Sequence, residues 1–150
     1  MRSSQASIDE RYDKALEEAS QPTADLKTVE ALLIAAHEAG DARATYALAT
    51  WHLHGKVFSK NTGRGLELLK IAAKHGVADA LFDLAVCYET GEFVRKSTRK
   101  AAELYLRAAL LGEKQSIYEI GRCYFYGIGV ALDKIIARVW LDRAAELGLD

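Results

Sequence analysis

A period of 36 residues constrains this chain more than any other feature of its sequence. Three segments, GDARATYALATWHLHG, GVADALFDLAVCYETG and GEKQSIYEIGRCYFYG, open at Gly40, Gly76 and Gly112, and Gly148 continues the step. The closing glycines Gly55, Gly91 and Gly127 keep it, as do Leu48, Leu84 and Ile120. Each of those three is followed by a small residue, Ala49, Ala85 or Gly121. The pairs Ala72-Ala73, Ala108-Ala109 and Ala144-Ala145 and the large residues Leu68, Leu104 and Trp140 hold the same register. Self-similarity of this kind marks a stack of repeated units.

A further register marks helix starts. Asp25, Asn61, Ser97 and Asp133 are spaced by the same 36 residues, and all four types accept a hydrogen bond from a free helix N–H. They precede LKTVEALLIAAHEAG, TGRGLELLKIAAKHG, TRKAAELYLRAALLG and KIIARVWLDRAAELG, each closed by a glycine suited to the residue after a helix. Every unit therefore reads as a helix pair. Helix A covers about 43–54, 79–90 and 115–126, and helix B follows the cap. The loops between them are KVFSK into Asn61, EFVRK into Ser97 and IGVAL into Asp133. Short alternating stretches such as KVF fall in these loops, and strand patterns are absent.

Residues 6–20 and 26–39 form a degenerate leading pair. Tyr12 takes the Leu48 slot there, and Asp13 replaces the small residue, which suits a cap that packs on one side only. The expected fold is all-α, an α-solenoid of stacked antiparallel helix pairs in one domain, 1–150. The capping pair covers 6–40, and the repeats cover 41–76, 77–112 and 113–148. Small residues let helices approach, and neighbouring units bury the face that one pair leaves open.

Composition narrows the function. There is one proline, Pro22, so long helices are not interrupted. Net charge is −1, which gives the chain as a whole no electrostatic reason to bind nucleic acid. The balance is uneven: residues 1–40 hold 4 basic and 8 acidic groups, and residues 41–150 hold 16 and 13. No apolar run approaches the roughly 18 residues of a membrane span. The first twenty residues are charged and lack an apolar signal core. Cys87 and Cys123 are too few for a disulfide framework. A soluble protein of a reducing compartment, the cytoplasm, is expected.

Site motifs are weak. His52 and His54 point to different helix faces, and His37 and His75 lie near helix ends, so no metal ligand set is expected. Gly127-Ile128-Gly129 lacks the strand and third glycine of a dinucleotide loop. Arg95, Lys96, Arg99 and Lys100 form a basic cluster at a helix start, open to an acidic partner or to solvent. No catalytic constellation, metal or cofactor is predicted.

The third unit resembles a Sel-one-like repeat, a relative of the tetratricopeptide repeat. Ile120, Gly121, Tyr124, Gly127, Gly129, Val130, Asp133, Ala137, Trp140, Ala144, Ala145 and Gly148 fill that pattern, with Ser116 in place of its first alanine. The second unit matches at Ala80, Leu84, Tyr88, Gly91, Val94, Ala101, Ala108, Ala109 and Gly112. The first matches at Ala44, Leu48, Gly55, Ala72, Ala73 and Gly76 and departs at His52 and Gly65, where tyrosine and alanine are usual. The resemblance implies a right-handed solenoid that binds proteins. Relatives act as adaptors in signalling, secretion and quality control, and some neutralise a toxin. A secreted branch joins cysteines within each repeat, and this chain lacks those pairs. Cys87 and Cys123 share one slot on successive A helices roughly 9–10 Å apart, beyond the disulfide limit of about 7 Å, so both are expected reduced and packed.

By the same resemblance, helix A lines a concave face. Its side chains there are Arg43, Tyr46, Thr50, Leu53 and His54 in the first repeat. Asp79, Phe82, Val86, Glu89 and Thr90 follow in the second, and Gln115, Tyr118, Arg122, Phe125 and Tyr126 in the third. Tyr46, Phe82 and Tyr118 form an aromatic ladder two residues before the core leucine slot, nearly opposite it on the helix. The rings either meet a partner or pack on the adjacent A helix. Arg43 and Arg122 flank the ladder and suit acidic groups of a partner. Ile135 and Ile136 replace Arg99 and Lys100 of the middle unit, so they either self-associate or tuck under the preceding unit.

The expected function is a non-enzymatic protein-interaction module. It binds a partner helix or extended segment as adaptor, regulator or inhibitor, and a toxin-neutralising immunity protein is one form. The alternatives are a hydrolase of the repeat family and a self-assembling structural unit; a homodimer belongs to the last.

Overall fold

The computed structural model describes the backbone of residues 2–55 and 60–150, and the side chains of those ranges from residue 10 onward. The KVF segment and most of the KVFSK loop lie outside the described residues. Among the described residues eight helices follow in order: α1 (Arg2–Ala19), α2 (Leu26–Glu38), α3 (Ala42–His54), α4 (Thr62–Lys74), α5 (Ala78–Thr90), α6 (Thr98–Leu110), α7 (Lys114–Tyr126) and α8 (Lys134–Glu146). No strand occurs among the described residues.

The four expected caps all cap. Asp25, Asn61, Ser97 and Asp133 accept hydrogen bonds from the backbone N–H groups of Lys27, Arg64, Lys100 and Ile135 at 3.1, 3.1, 3.3 and 3.0 Å. The A helices start one residue before the expected points. Asp41 accepts from Arg43 N, and Glu113 accepts from Gln115 N and Ser116 N, so an acidic side chain beyond the repeat glycine caps α3 and α7. Helix α1 reaches further upstream than the leading-pair pattern.

Two compact units divide the chain, residues 1–77 and 78–150. In the first, α1 pairs with α2 and α3 with α4, and α2 packs on α3. In the second, α5 pairs with α6 and α7 with α8, and α6 packs on α7. Each core is built from the repeated slots. Leu48, Leu84 and Ile120 are buried, as are Leu68, Leu104, Ala72 and Ala108. Asp13 is exposed, as a one-sided leading helix requires.

Two glycines mark close approaches. A Cβ on Gly121 would lie 2.8 Å from Leu141 Cγ, so α7 and α8 nearly touch there. A Cβ on Gly65 would lie 2.7 Å from Leu53 Cγ, which explains why the first repeat departs from alanine at this slot. In the second unit, Phe93 has φ 66° at the slot where Gly129 has φ 71° one repeat later. The left-handed conformation is thus kept even where the glycine is not.

Candidate functional site

The predicted face divides into two sets, one in each unit. In the first unit, Arg43 is half-exposed and already engaged. Its Nε and Nη2 donate to the two carboxylate oxygens of Asp41 at 3.1 and 2.8 Å, and its guanidinium lies 4.2 Å from the ring centroid of Tyr12. Tyr46 is half-buried. Thr50 donates back to the Ala47 carbonyl at 2.8 Å, and His54 is exposed. Leu53 does not join this face: it is 5% exposed and fills the space over Gly65. That corrects its assignment to the open side.

In the second unit the face is a polar clamp bordered by aromatic rings. Arg122 of α7 donates through Nη2 to Glu89 of α5 at 2.5 Å and through Nε to Glu119 at 2.7 Å. Tyr105 of α6 donates its hydroxyl to the other oxygen of Glu89 at 2.6 Å, and Gln115 donates to Glu119 at 3.2 Å. Three helices from two successive repeats therefore meet at Glu89. Arg122, Glu89 and Glu119 are each about a quarter exposed or less.

The electrostatics follow from that geometry. Burial raises the Glu89 carboxyl, but the Tyr105 hydroxyl and the Arg122 guanidinium outweigh it and hold the group below the ordinary glutamate value. Burial opposes the charge on Arg122, and Glu89 and Glu119 more than offset it, so this cation is held more firmly than usual. Burial and the neighbouring Glu89 charge push the Tyr105 phenol well up. Arg122 was expected to hold acidic groups of a partner. Its charge is spent on two carboxylates of its own chain, and one negative charge is left over.

Beside the clamp lies a groove of about 320 Å³ lined by Tyr118, Arg122, Phe125, Tyr126, Leu141, Leu149 and Asp150. Phe125 and Tyr126 are 37% and 65% exposed, with ring centroids 4.9 Å apart and edge to face. Asp79 is exposed, and Val86 is half-buried. The ladder splits. Tyr118 lines the groove, whereas Phe82 lies 5.9 Å from the Tyr105 ring and packs on helix B of its own repeat.

Tyr105 and Glu119 were missed as site residues. The available signal is a paired departure: Glu89 and Tyr105 stand in slots that hold Leu53 and Leu69 one repeat earlier. Two apolar slots turning polar within the same repeat point to a bond between them. The thiols behave as expected. Cys87 and Cys123 are free and buried, and burial pushes each thiol up to about 11. Ile135 and Ile136 are 82% and 39% exposed and do not tuck under the preceding unit.

No group of three His, Cys, Asp or Glu side chains able to hold a metal occurs among the described residues. No helix among them is long and apolar enough to cross a membrane.

Three helix pairs of one length, α3 to α8, repeated at one step and closed at the same slots, define an α-solenoid of the helical-repeat class. The Sel1 repeat profile matches residues 42–77, 78–113 and 114–149, and the chain belongs to that family. Its members are generally protein-interaction modules. Among solved structures, a Sel1 repeat protein from Oxalobacter formigenes is 32% identical with a TM-score of 0.76, covering 79% of this chain and 89% of that one. A protective antigen of uropathogenic Escherichia coli with an SLR fold is 26% identical with a TM-score of 0.85. It covers 94% of this chain, which spans only 31% of the antigen. Cysteine-rich protein B of Helicobacter pylori shares the fold at 23% identity and a TM-score of 0.63, with 87% and 94% covered. A search of the curated proteins finds no match.

Proposed function

We propose that this protein is a non-enzymatic interaction module that takes a helix or extended segment of a partner on the α5–α7 face, and that the segment is basic. One observation carries the reading: Arg122 is neutralised within the chain, so the clamp beside the exposed rings of Phe125 and Tyr126 carries one net negative charge, and the Phe125 ring already takes a cation, the ammonium of Lys134 at 5.1 Å from its centroid. Aromatic rings and carboxylates together suit lysine and arginine side chains, the rings through cation–π contact. Asp79, Phe82, Val86, Glu89, Tyr118 and Arg122 belong to the proposed face with differing parts, and Arg43, Tyr46, Thr50 and His54 form a separate candidate set on α3 of the first unit. Tyr118 and Tyr126 contact the partner, and Glu89, Arg122 and Phe82 hold the surface in shape.

Adaptor, inhibitor and toxin-neutralising roles all use such a face, and the partner's toxicity when produced alone separates them. Two buried free thiols fit the cytoplasm. A hydrolase with a cysteine nucleophile finds little support, because burial pushes both thiols up to about 11 and a protonated thiol is a poor nucleophile.

The test is quantitative affinity capture from the native host with wild type and with Tyr118→Ala/Tyr126→Ala. A partner lost from the variant while far-UV helix signal persists supports the face. Equal capture of every partner by both proteins sinks it.

A further inference from the structure

The outer edge of α8 breaks the charge pattern of its repeat. Leu132, Ile135, Ile136 and Val139 are 58%, 82%, 39% and 67% exposed. One repeat earlier the same slots hold Lys96, Arg99, Lys100 and Glu103. Those four stay exposed although α7 packs on α6. A further helix pair stacked on α8 would therefore leave this edge in water too. Its apolar character is not that of an ordinary stacking surface.

Charge indicates what covers it. Lys134 and Arg138 are exposed on the same helix, Lys134 over the Phe125 ring at 5.1 Å and Arg138 in a loose, solvent-exposed pair with Asp142 at 4.0 Å. The loop before α8 runs against the start of α6, where a Cβ on Gly129 would collide with the Thr98 carbonyl. This close approach brings the basic 95–100 cluster to the same edge. A second α8 edge would meet it with like charge. The complement is an acidic surface with apolar residues, and the chain carries one. Leu26, Glu30, Ile34 and Glu38 form one ridge of α2 at successive four-residue steps. Leu26 and Ile34 are 48% and 37% exposed, and residues 1–40 hold twice as many acidic as basic groups.

We propose that the α8 edge of one molecule docks the α2 ridge of a second copy, head to tail. The contact uses two different surfaces, so each bound pair still offers one free ridge and one free edge. Growth into short chains or rings follows, strongest at low salt. The basic-segment face on α5–α7 takes no part in it.

Variants can borrow residues that neighbouring repeats already tolerate. Ile135→Arg/Val139→Glu installs the charges of Arg99 and Glu103 and blocks the edge. Ile34→Lys/Glu38→Lys installs those of Lys70 and Lys74 and blocks the ridge. Sedimentation velocity across a concentration series should show the wild type growing beyond a dimer. Each variant, with unchanged far-UV helix signal, should self-associate at least about tenfold more weakly. An equimolar mixture of the two should form a one-to-one pair and stop, because the ridge and the edge that face each other are both intact. A wild type that stays monomeric at every concentration overturns the proposal. So does a mixture that remains monomeric while the wild type associates, and so does a ridge variant that associates as strongly as the wild type, which would indicate α8 pairing with α8. Binding to vesicles of anionic lipid by a protein that stays monomeric also overturns it and assigns the edge to a membrane surface.

Discussion

Replacing Arg122 with methionine tests the clamp directly. The substitution keeps the aliphatic stem and removes the cation, leaving Glu89 and Glu119 without their shared partner. A hydrogen bond to a charged group contributes about 1.5–3 kcal/mol. Breaking a fully buried ion pair costs about 3–5 kcal/mol, because a charge is stranded. Here Arg122 and Glu89 are 26% and 24% exposed, so water reaches the vacated site and reduces that cost. The expected loss is about 2–3 kcal/mol at neutral pH, a fall in Tm of roughly 5–10 °C. Urea denaturation followed by far-UV circular dichroism reads it.

The pH dependence supplies the control. Glu89 has a lowered folded pKa, so the stability it contributes is present above the ordinary glutamate value of 4.5 and is lost as pH falls through the folded value. The variant keeps only the part that comes from the Tyr105 hydroxyl and lacks the part from Arg122. The gap between the two proteins should therefore narrow as the medium is acidified below that value. A variant within 0.5 kcal/mol of wild type at pH 7, the usual range for neutral surface substitutions (about ±0.5 kcal/mol), would falsify the clamp. A gap unchanged on acidification would show that packing, not charge, is responsible.

Other substitutions probe the packing around it. The hydroxyl of Ser116 is wholly buried with no hydrogen-bond partner, at the slot where the repeat pattern has alanine. Ser116→Ala should stabilise by about 1 kcal/mol, seen as a higher urea midpoint at unchanged slope. Gly65→Ala should destabilise by about 1–2 kcal/mol despite better helix propensity, because its Cβ meets Leu53. A rise in Tm would show that Leu53 has room to move. Cys87 and Cys123 should resist a thiol reagent at pH 8 in the folded protein and react at once in denaturant.

Period, caps and core slots were legible in the sequence because each rests on residue types at fixed spacing. Asp25, Asn61, Ser97 and Asp133 announce helix starts by local chemistry alone. The face was legible only as a set of candidates. Helical spacing places Arg122 and Glu89 on their helices, but their bond depends on how close α5 and α7 come, which spacing does not state. Leu53 was misplaced for a similar reason. The slot that puts Glu89 in a polar clamp puts Leu53 against a glycine, and only the paired change to Glu89 and Tyr105 distinguishes the two repeats. The caps of α3 and α7 were missed because Asp41 and Glu113 follow a glycine that already marks the end of the previous helix.

The clamp at Glu89 also bears on rigidity. Apolar contacts are non-directional, so two hairpins joined only by leucines can pivot at little cost. Hydrogen bonds from Arg122 and Tyr105 tolerate only a narrow range of angles. The Arg122 bond acts as a locating pin between the second and third repeats, and the Tyr105 bond holds Glu89 in place to receive it. Two steps earlier, in the first unit, the matching slots hold Glu17, Leu33 and Thr50; Leu33 has no hydroxyl and Thr50 bonds the Ala47 carbonyl of its own helix, so the same pin is not built there. A segment landing on α5 and α7 thus meets a template already in its final shape, and the entropy of binding falls almost wholly on the visitor.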